Sequence, residues 1–226
     1  MPPLRRHQLA HLCPAGWSEV LSRPWDATAR DCLRHWAQRR LPLVVTRQLA
    51  GPDVPADAVA LGLPAPLAWE RRRIAVQVPR TAVAWLDEFP PATDVLRLLR
   101  GRTRARLQSL LDGLASLQTL ARVYGSHGWQ LLTGHRYLHE HSDLDLWIAV
   151  DGEAQADAVA LHLQSCAPEK PRVDGELIFI DGAAIAWQEW ASWRAGRTRS
   201  VLVKRLNGAA LEHDGVTGPT EWAHAA

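Results

Sequence analysis

Apolar residues recur at two different periods along this chain, and the changes between them mark its elements. Between Arg104 and Leu120, Leu107, Leu110, Leu111, Leu114 and Leu117 fall on one face at helical spacing. In Arg73-Ile74-Ala75-Val76-Gln77-Val78 the apolar positions come every second residue instead, the pattern of a strand with one buried face. Earlier, Ala27 to Arg40 reads as a helix, with Pro24 just before it and Asp26 as its N-cap. Leu41 to Arg47 reads as a short strand. The stretch through Gly51-Pro52, Pro55 and Gly62-Leu63-Pro64 reads as a connection.

Pro90-Pro91 breaks the chain ahead of a helical stretch from Asp94 to Arg100, which Gly101 interrupts. The pattern then predicts a strand over Ala121–Tyr124, a helix over Ser126–Leu132, a strand over Leu144–Val150 and a helix over Glu153–Cys166. Two strands follow, near Gly175–Ile180 and Ala183–Trp187, with Asp181-Gly182 as a two-residue hairpin turn. Gln188–Ala195 reads as a short helix and Ser200–Val203 as a strand. After Asn207-Gly208 a helix fragment and loose residues are expected. Fold class is therefore α+β: a small α+β domain over residues 1–80, then a mixed sheet with flanking helices over 81–226.

Composition narrows the class. With 226 residues, 47% of them apolar, the chain can bury a real core. It has no apolar run near membrane-spanning length, and no apolar stretch follows the basic residues of Met1–His7, so neither a membrane segment nor a signal peptide is expected. Cys13, Cys32 and Cys166 are scattered, as reduced thiols in a cytoplasmic protein would be. A net charge of +2 argues against a nucleic-acid partner. Nearly all the positive charge is arginine, with Lys170 and Lys204 the only lysines. The 11 tryptophans are expected mostly in packing.

The chemistry concentrates in Val123-Tyr124-Gly125-Ser126 and Ser142-Asp143-Leu144-Asp145-Leu146. Asp143 and Asp145 lie two apart on a strand, so both carboxylates point one way. Paired hard oxygen ligands suit Mg²⁺, which also binds substrate phosphates. Gly125 lets backbone approach a phosphate, and Ser126 sits where a helix N-terminus favours an anion. Gly-Ser followed by Asp-x-Asp resembles the nucleotidyltransferase superfamily signature. A third carboxylate is expected from a neighbouring strand, where Glu176 is preferred and Asp174 is the alternative.

The longer pattern is more specific. Tyr124-Gly125-Ser126-His127-Gly128-Trp129-Gln130-Leu131-Leu132-Thr133-Gly134, Tyr137-Leu138 and Ser142 to Leu146 resemble the malonate decarboxylase holo-[acyl-carrier-protein] synthase family, a group of phosphoribosyl-dephospho-CoA transferases. Arg23-Pro24-Trp25-Asp26, Asp174-Gly175-Glu176-Leu177, Asp181-Gly182, Ala186-Trp187-Gln188-Glu189 and Val201-Leu202-Val203-Lys204-Arg205 extend the resemblance over most of the chain. His127-Gly128 departs from the family's apolar-small pair. The resemblance implies a donor, 2'-(5''-triphosphoribosyl)-3'-dephospho-CoA. It implies an acceptor serine on the apo acyl-carrier subunit of malonate decarboxylase, and release of pyrophosphate. It assigns metal binding to Asp143, Asp145 and Glu176 or Asp174, and phosphate cradling to Gly125-Ser126. Glu176 is a candidate to accept the serine proton. The same pattern would serve the citrate lyase carrier-loading enzyme, a nucleotidyltransferase acting on RNA or another protein, or a non-catalytic protein of the same fold.

Among the other polar residues, Lys204 is a candidate phosphate contact. Arg97, Arg100, Arg102, Arg104 and Arg106 read as a solvated helix face, or as a docking patch for an acidic carrier. Arg71-Arg72-Arg73 has the same two readings. His135, His139 and His141 read as a polar loop rather than a zinc site.

Overall fold

The computed structural model describes residues 3–48, 51–52, 54–166 and 170–213, which build two sheets. In chain order the first part holds β1 (Leu9–Leu12), α1 (Pro14–Ser22), α2 (Ala27–Arg39), β2 (Leu43–Val45), β3 (Ala58–Pro64), β4 (Arg73–Pro79) and β5 (Val83–Asp87). Its strands form an antiparallel sheet in the order β4-β3-β2-β1-β5. β5 comes after residue 80, where sequence placed the division, yet it pairs with β1.

Local chemistry sets these elements. The Asp26 carboxylate accepts the Ala29 amide at 3.0 Å and caps α2, as expected. Trp17, Val20, Leu33 and Trp36 from the helices pack on Leu43, Val45, Leu61, Leu63, Ile74 and Val76 from one face of the sheet. The opposite face, with Val44, Gly62 and Ala75, looks toward Gly125, Ser126 and Trp129 of the second part. The expected connection through Gly62-Leu63-Pro64 is instead β3. Val59, Leu61 and Leu63 alternate into the core, Gly62 fills a position crowded by Thr46, and Pro64 falls at the strand end.

The second part holds α3 (Gly101–Ser116), β6 (Ala121–Val123), α4 (Gly125–Thr133), β7 (Leu144–Ala149), α5 (Glu153–Cys166), β8 (Val173–Ile178), β9 (Ala184–Ala186), α6 (Trp187–Arg194), β10 (Val201–Arg205) and β11 (Gly208–Glu212). The sheet order is β11-β10-β9-β8-β7-β6. Among the described residues only β7 and β8 pair in parallel, with α5 as their crossover, so the sheet is mixed and the chain is α+β. Leu107, Leu110, Leu111 and Leu114 of α3 pack with Val159 and Leu163 of α5 on Leu146 and Ile148.

Three local expectations need correction. The 94–100 helix is a 3₁₀ helix over Ala92–Leu98. The β8–β9 hairpin loop has three residues, Ile180 to Gly182. The Phe179 amide donates to the Ala183 carbonyl at 2.9 Å, and Gly182 takes the left-handed position at φ +84°. The residues after Asn207 form β11 rather than a helix fragment, paired with β10 around Leu206-Asn207. The loose tail expected beyond it lies outside the described residues.

The two parts are joined by a third apolar cluster of Leu9, Phe89, Trp129 and Tyr137, with Val44, Tyr124 and Leu132 against it. The Tyr137 hydroxyl donates to the Pro64 carbonyl at 2.9 Å, and the Gln48 amide donates to the Leu206 carbonyl at 2.8 Å. Among the described residues no helix is long and apolar enough to cross a membrane.

Candidate active site

The turn from β6 into α4 and the start of β7 lock together through backbone. The Tyr124 amide donates to the Asp145 carbonyl at 3.0 Å. Gly125 follows at φ +57°, a left-handed conformation that suits glycine. A Cβ there would stand 1.8 Å from Asp145 Oδ2. The glycine therefore makes room first for the Asp145 carboxylate. The next turn of α4 is equally close: a Cβ on Gly128 would meet the Val123 carbonyl at 2.4 Å.

Asp143 lies just before β7 and is gripped by Arg172, whose Nε and Nη2 donate to its two oxygens at 3.2 and 2.5 Å. That fork holds the Asp143 carboxyl below the ordinary carboxylate range. Asp145 faces the opposite pull. Burial, and then the like charges of Asp174 and Asp143, push it up to about 6. Asp174 is level with Asp145 across the parallel β7–β8 pair. Gly175 lets the strands close there, since a Cβ on it would lie 2.1 Å from the Leu146 carbonyl.

The structure thus seats Asp145 against Gly125, with Asp174 level with it on β8 and Arg172 reaching both Asp143 and Asp174, and it places Glu176 differently. Glu176 is buried and accepts from Lys204 Nζ at 2.8 Å, while His7 Nε2 lies 3.0 Å away and Arg6 Nη2 3.5 Å. Burial alone would raise this carboxyl. The His7 hydrogen bond and charge, with Lys204 and Arg6, hold it down to about 2. Lys204, expected on phosphate, is this carboxylate's partner.

His127, read from sequence only as a departure from pattern, has a structural place. Its buried ring donates from Nδ1 to the Asp143 carbonyl at 3.0 Å, which fixes the backbone at the first carboxylate. Burial lowers its pKa, so the ring is held neutral. The other histidines are a polar loop and a stack. His139 and His141 are exposed, and His135 meets His35 at 2.9 Å between Nε2 atoms, stacked on Trp36. Arg97, Arg100, Arg102, Arg104 and Arg106 all lie exposed.

As the side chains stand, no group of three His, Cys, Asp or Glu residues among those described is arranged to hold a metal ion. Arg172 takes up both Asp143 oxygens. The donor set nevertheless fits Mg²⁺, because it is all carboxylate and Asp145 is penalised by neighbouring charges that a cation would offset.

Beside these groups opens a cavity of about 510 Å³. Gly125, Ser126, Trp129, Tyr137 and Asp145 line one side. Val44, Thr46, Gly62, Arg73 and Ala75, on the first sheet, line the other. Of these first-sheet residues sequence reasoning singled out only Arg73, in a surface patch, and placed none beside the carboxylates. Their approach depends on how the two parts dock, which no local pattern encodes.

Comparison with known proteins gives a match to each of the two parts. Residues 5–89 match the family described as the phosphoribosyl-dephospho-CoA transferase MdcG N-terminal domain, and residues 91–215 match the corresponding C-terminal domain. A protein of Bradyrhizobium diazoefficiens named phosphoribosyl-dephospho-CoA transferase is 35% identical over 222 residues, covering 96% of this chain and 95% of its own. One of the same name from Xanthomonas campestris pv. campestris is 33% identical over 207 residues, covering 91% and 92%. A third, from Azotobacter vinelandii, is 39% identical over 114 residues, covering 50% and 51%. No solved structure matches the chain.

Proposed function

Because this chain belongs to the phosphoribosyl-dephospho-CoA transferase MdcG family, in both its domains, we propose that it loads a phosphoribosyl-dephospho-CoA group onto the apo acyl-carrier subunit of malonate decarboxylase. The donor is 2'-(5''-triphosphoribosyl)-3'-dephospho-CoA. The carrier serine oxygen bonds to the phosphorus beside the ribose, the bond from that phosphorus to the outer diphosphate breaks, and pyrophosphate leaves. The reaction is a nucleotidyltransferase reaction, and the mixed sheet with Gly125-Ser126 ahead of Asp143 and Asp145 supports that class.

The observation that carries this reading is the seating of Gly125 against the Asp145 carboxylate at the edge of an open cavity. The first amides of α4, at Gly125, Ser126 and His127, suit the outer phosphates. Mg²⁺ bound by Asp143 and Asp145 would neutralise the triphosphate charge. Glu176, held near 2 by His7, Lys204 and Arg6, is a poor proton acceptor. Asp174, half-buried and level with Asp145, takes the serine proton in its place. Arg172 is positioned to release Asp143 as the phosphates arrive, since its side chain is exposed.

The test is mass spectrometry of the apo-carrier after incubation with enzyme, Mg²⁺ and donor. A gain equal to the phosphoribosyl-dephospho-CoA group on a serine is expected. The apo-carrier of citrate lyase, run in parallel, is expected to gain far less. Loading of the citrate lyase carrier alone would reassign the acceptor, and loading of neither would overturn the reading.

A further inference from the structure

The cavity is larger than the triphosphate chemistry requires, and its far wall belongs to the other domain. That wall follows from register. Val44 pairs with Gly62 and Gly62 with Ala75, so the three lie side by side across β2, β3 and β4, on the face turned away from α1 and α2. Gly62 has no room for a side chain, because its Cβ would lie 2.9 Å from Thr46 Cγ2. The resulting floor is flat, apolar and two strand spacings wide, roughly 10 Å. The Trp129 and Tyr137 rings, stacked at 6.3 Å between centroids, also line the cavity. At the rim stands Arg73, exposed, with no ion pair among the described residues.

Each feature answers one part of a dephospho-CoA. A flat apolar floor near aromatic rings suits a purine, and an unpaired guanidinium suits a diphosphate. The volume lies in the range of small-molecule sites, about 300–1,000 Å³. The cavity is continuous with Gly125, Ser126 and Asp145, so a ligand seated in it reaches the phosphate-handling turn. We propose that the first domain is the donor's nucleoside-binding half: the adenosine of the dephospho-CoA moiety lies on Val44, Gly62 and Ala75, and Arg73 pairs with the diphosphate leading to pantetheine. This rests on the transferase reading above. It gives the N-terminal domain a substrate-recognition role.

Isothermal titration tests it with 3'-dephospho-CoA, which lacks the triphosphate, and with inorganic tripolyphosphate plus Mg²⁺ as the control probe. Ala75 and Arg73 are exposed, so Ala75→Leu and Arg73→Ala are chosen to spare the core, and thermal melts verify it. Ala75→Leu is expected to weaken 3'-dephospho-CoA roughly tenfold or more, with tripolyphosphate affinity unchanged. Arg73→Ala is expected to weaken it severalfold, and ADP but not pantetheine is expected to compete. Undetectable binding to the unaltered protein, equal binding to Ala75→Leu, or competition by pantetheine alone would each overturn the assignment. The two readings fail separately. A carrier that gains no mass while Ala75→Leu still loses 3'-dephospho-CoA removes the transferase reading and keeps the nucleoside site. Normal loading by Ala75→Leu with an unchanged donor KM removes the site and keeps the transferase.

Discussion

Asp145 places a carboxylate oxygen in the space that a Cβ on Gly125 would fill, 1.8 Å from that ideal position. The same glycine is at φ +57°. Gly125→Ala therefore strains the backbone and displaces the carboxylate together. The expected cost is about 1–2 kcal/mol in stability. Carrier loading should fall roughly 100-fold, because misplacing a reacting group by an ångström is that expensive. Urea denaturation and initial loading rates measure the two effects.

Asp145→Asn should make the metal-free protein more stable at neutral pH while stopping transfer. The native carboxyl titrates at about 6, above its unfolded value of 3.8, so the folded state holds its proton more tightly. That contribution is fully present below the unfolded value and is lost as pH rises through 6. Its size is on the order of 2–3 kcal/mol. Denaturation at pH 4 and pH 8 should show this step in the unaltered protein and a flatter profile in Asp145→Asn.

Glu176 should behave in the opposite sense. Its native value is depressed to about 2 from 4.5, so its stabilisation is present above 4.5 and disappears as pH falls toward 2. Glu176→Gln leaves Lys204, His7 and Arg6 without their shared anion. A loss of about 3 kcal/mol is expected at pH 7. The acid-denaturation limb between pH 5 and pH 2 should flatten, as circular dichroism can follow.

Asp174→Asn separates the two candidates for the proton-accepting carboxylate. With Asp174 in that role, kcat should fall roughly 100-fold with little change in donor KM, and the acidic limb of the pH–rate profile should be lost. Unchanged kcat in this variant, together with a lost acidic limb in a folded Glu176→Gln, would return the role to Glu176.

Chelation of divalent cations should stop loading while the far-ultraviolet spectrum stays unchanged, and added Mg²⁺ should restore it. The melting temperature should rise with Mg²⁺ more at pH 7.5 than at pH 5, because the proton on Asp145 competes with the cation.

Much of this architecture was readable without coordinates. Five leucines at helical spacing gave α3, and Asp26 before an amphipathic run gave α2 with its cap. Gly125-Ser126 and Asp143-x-Asp145 named two pieces of the candidate site, and Asp145 does lie against Gly125, because period-two and glycine rules are local. What escaped had non-local causes. β1 and β5 are short, and they become strands by pairing with each other. β3 was hidden by Gly62 and Pro64, whose reasons are a neighbour at Thr46 and the strand's end. The separate surroundings of Asp174 and Glu176 could not be told from Asp-Gly-Glu alone. They are set by Arg172 on one side and by His7 and Lys204 on the other. The cavity wall from β2, β3 and β4 had no local signature at all.

The partners of Glu176 come from opposite stretches of the polypeptide, His7 and Lys204. Expressed without the first domain, the second would therefore strand that carboxylate with Lys204 alone, deprived of His7 and Arg6.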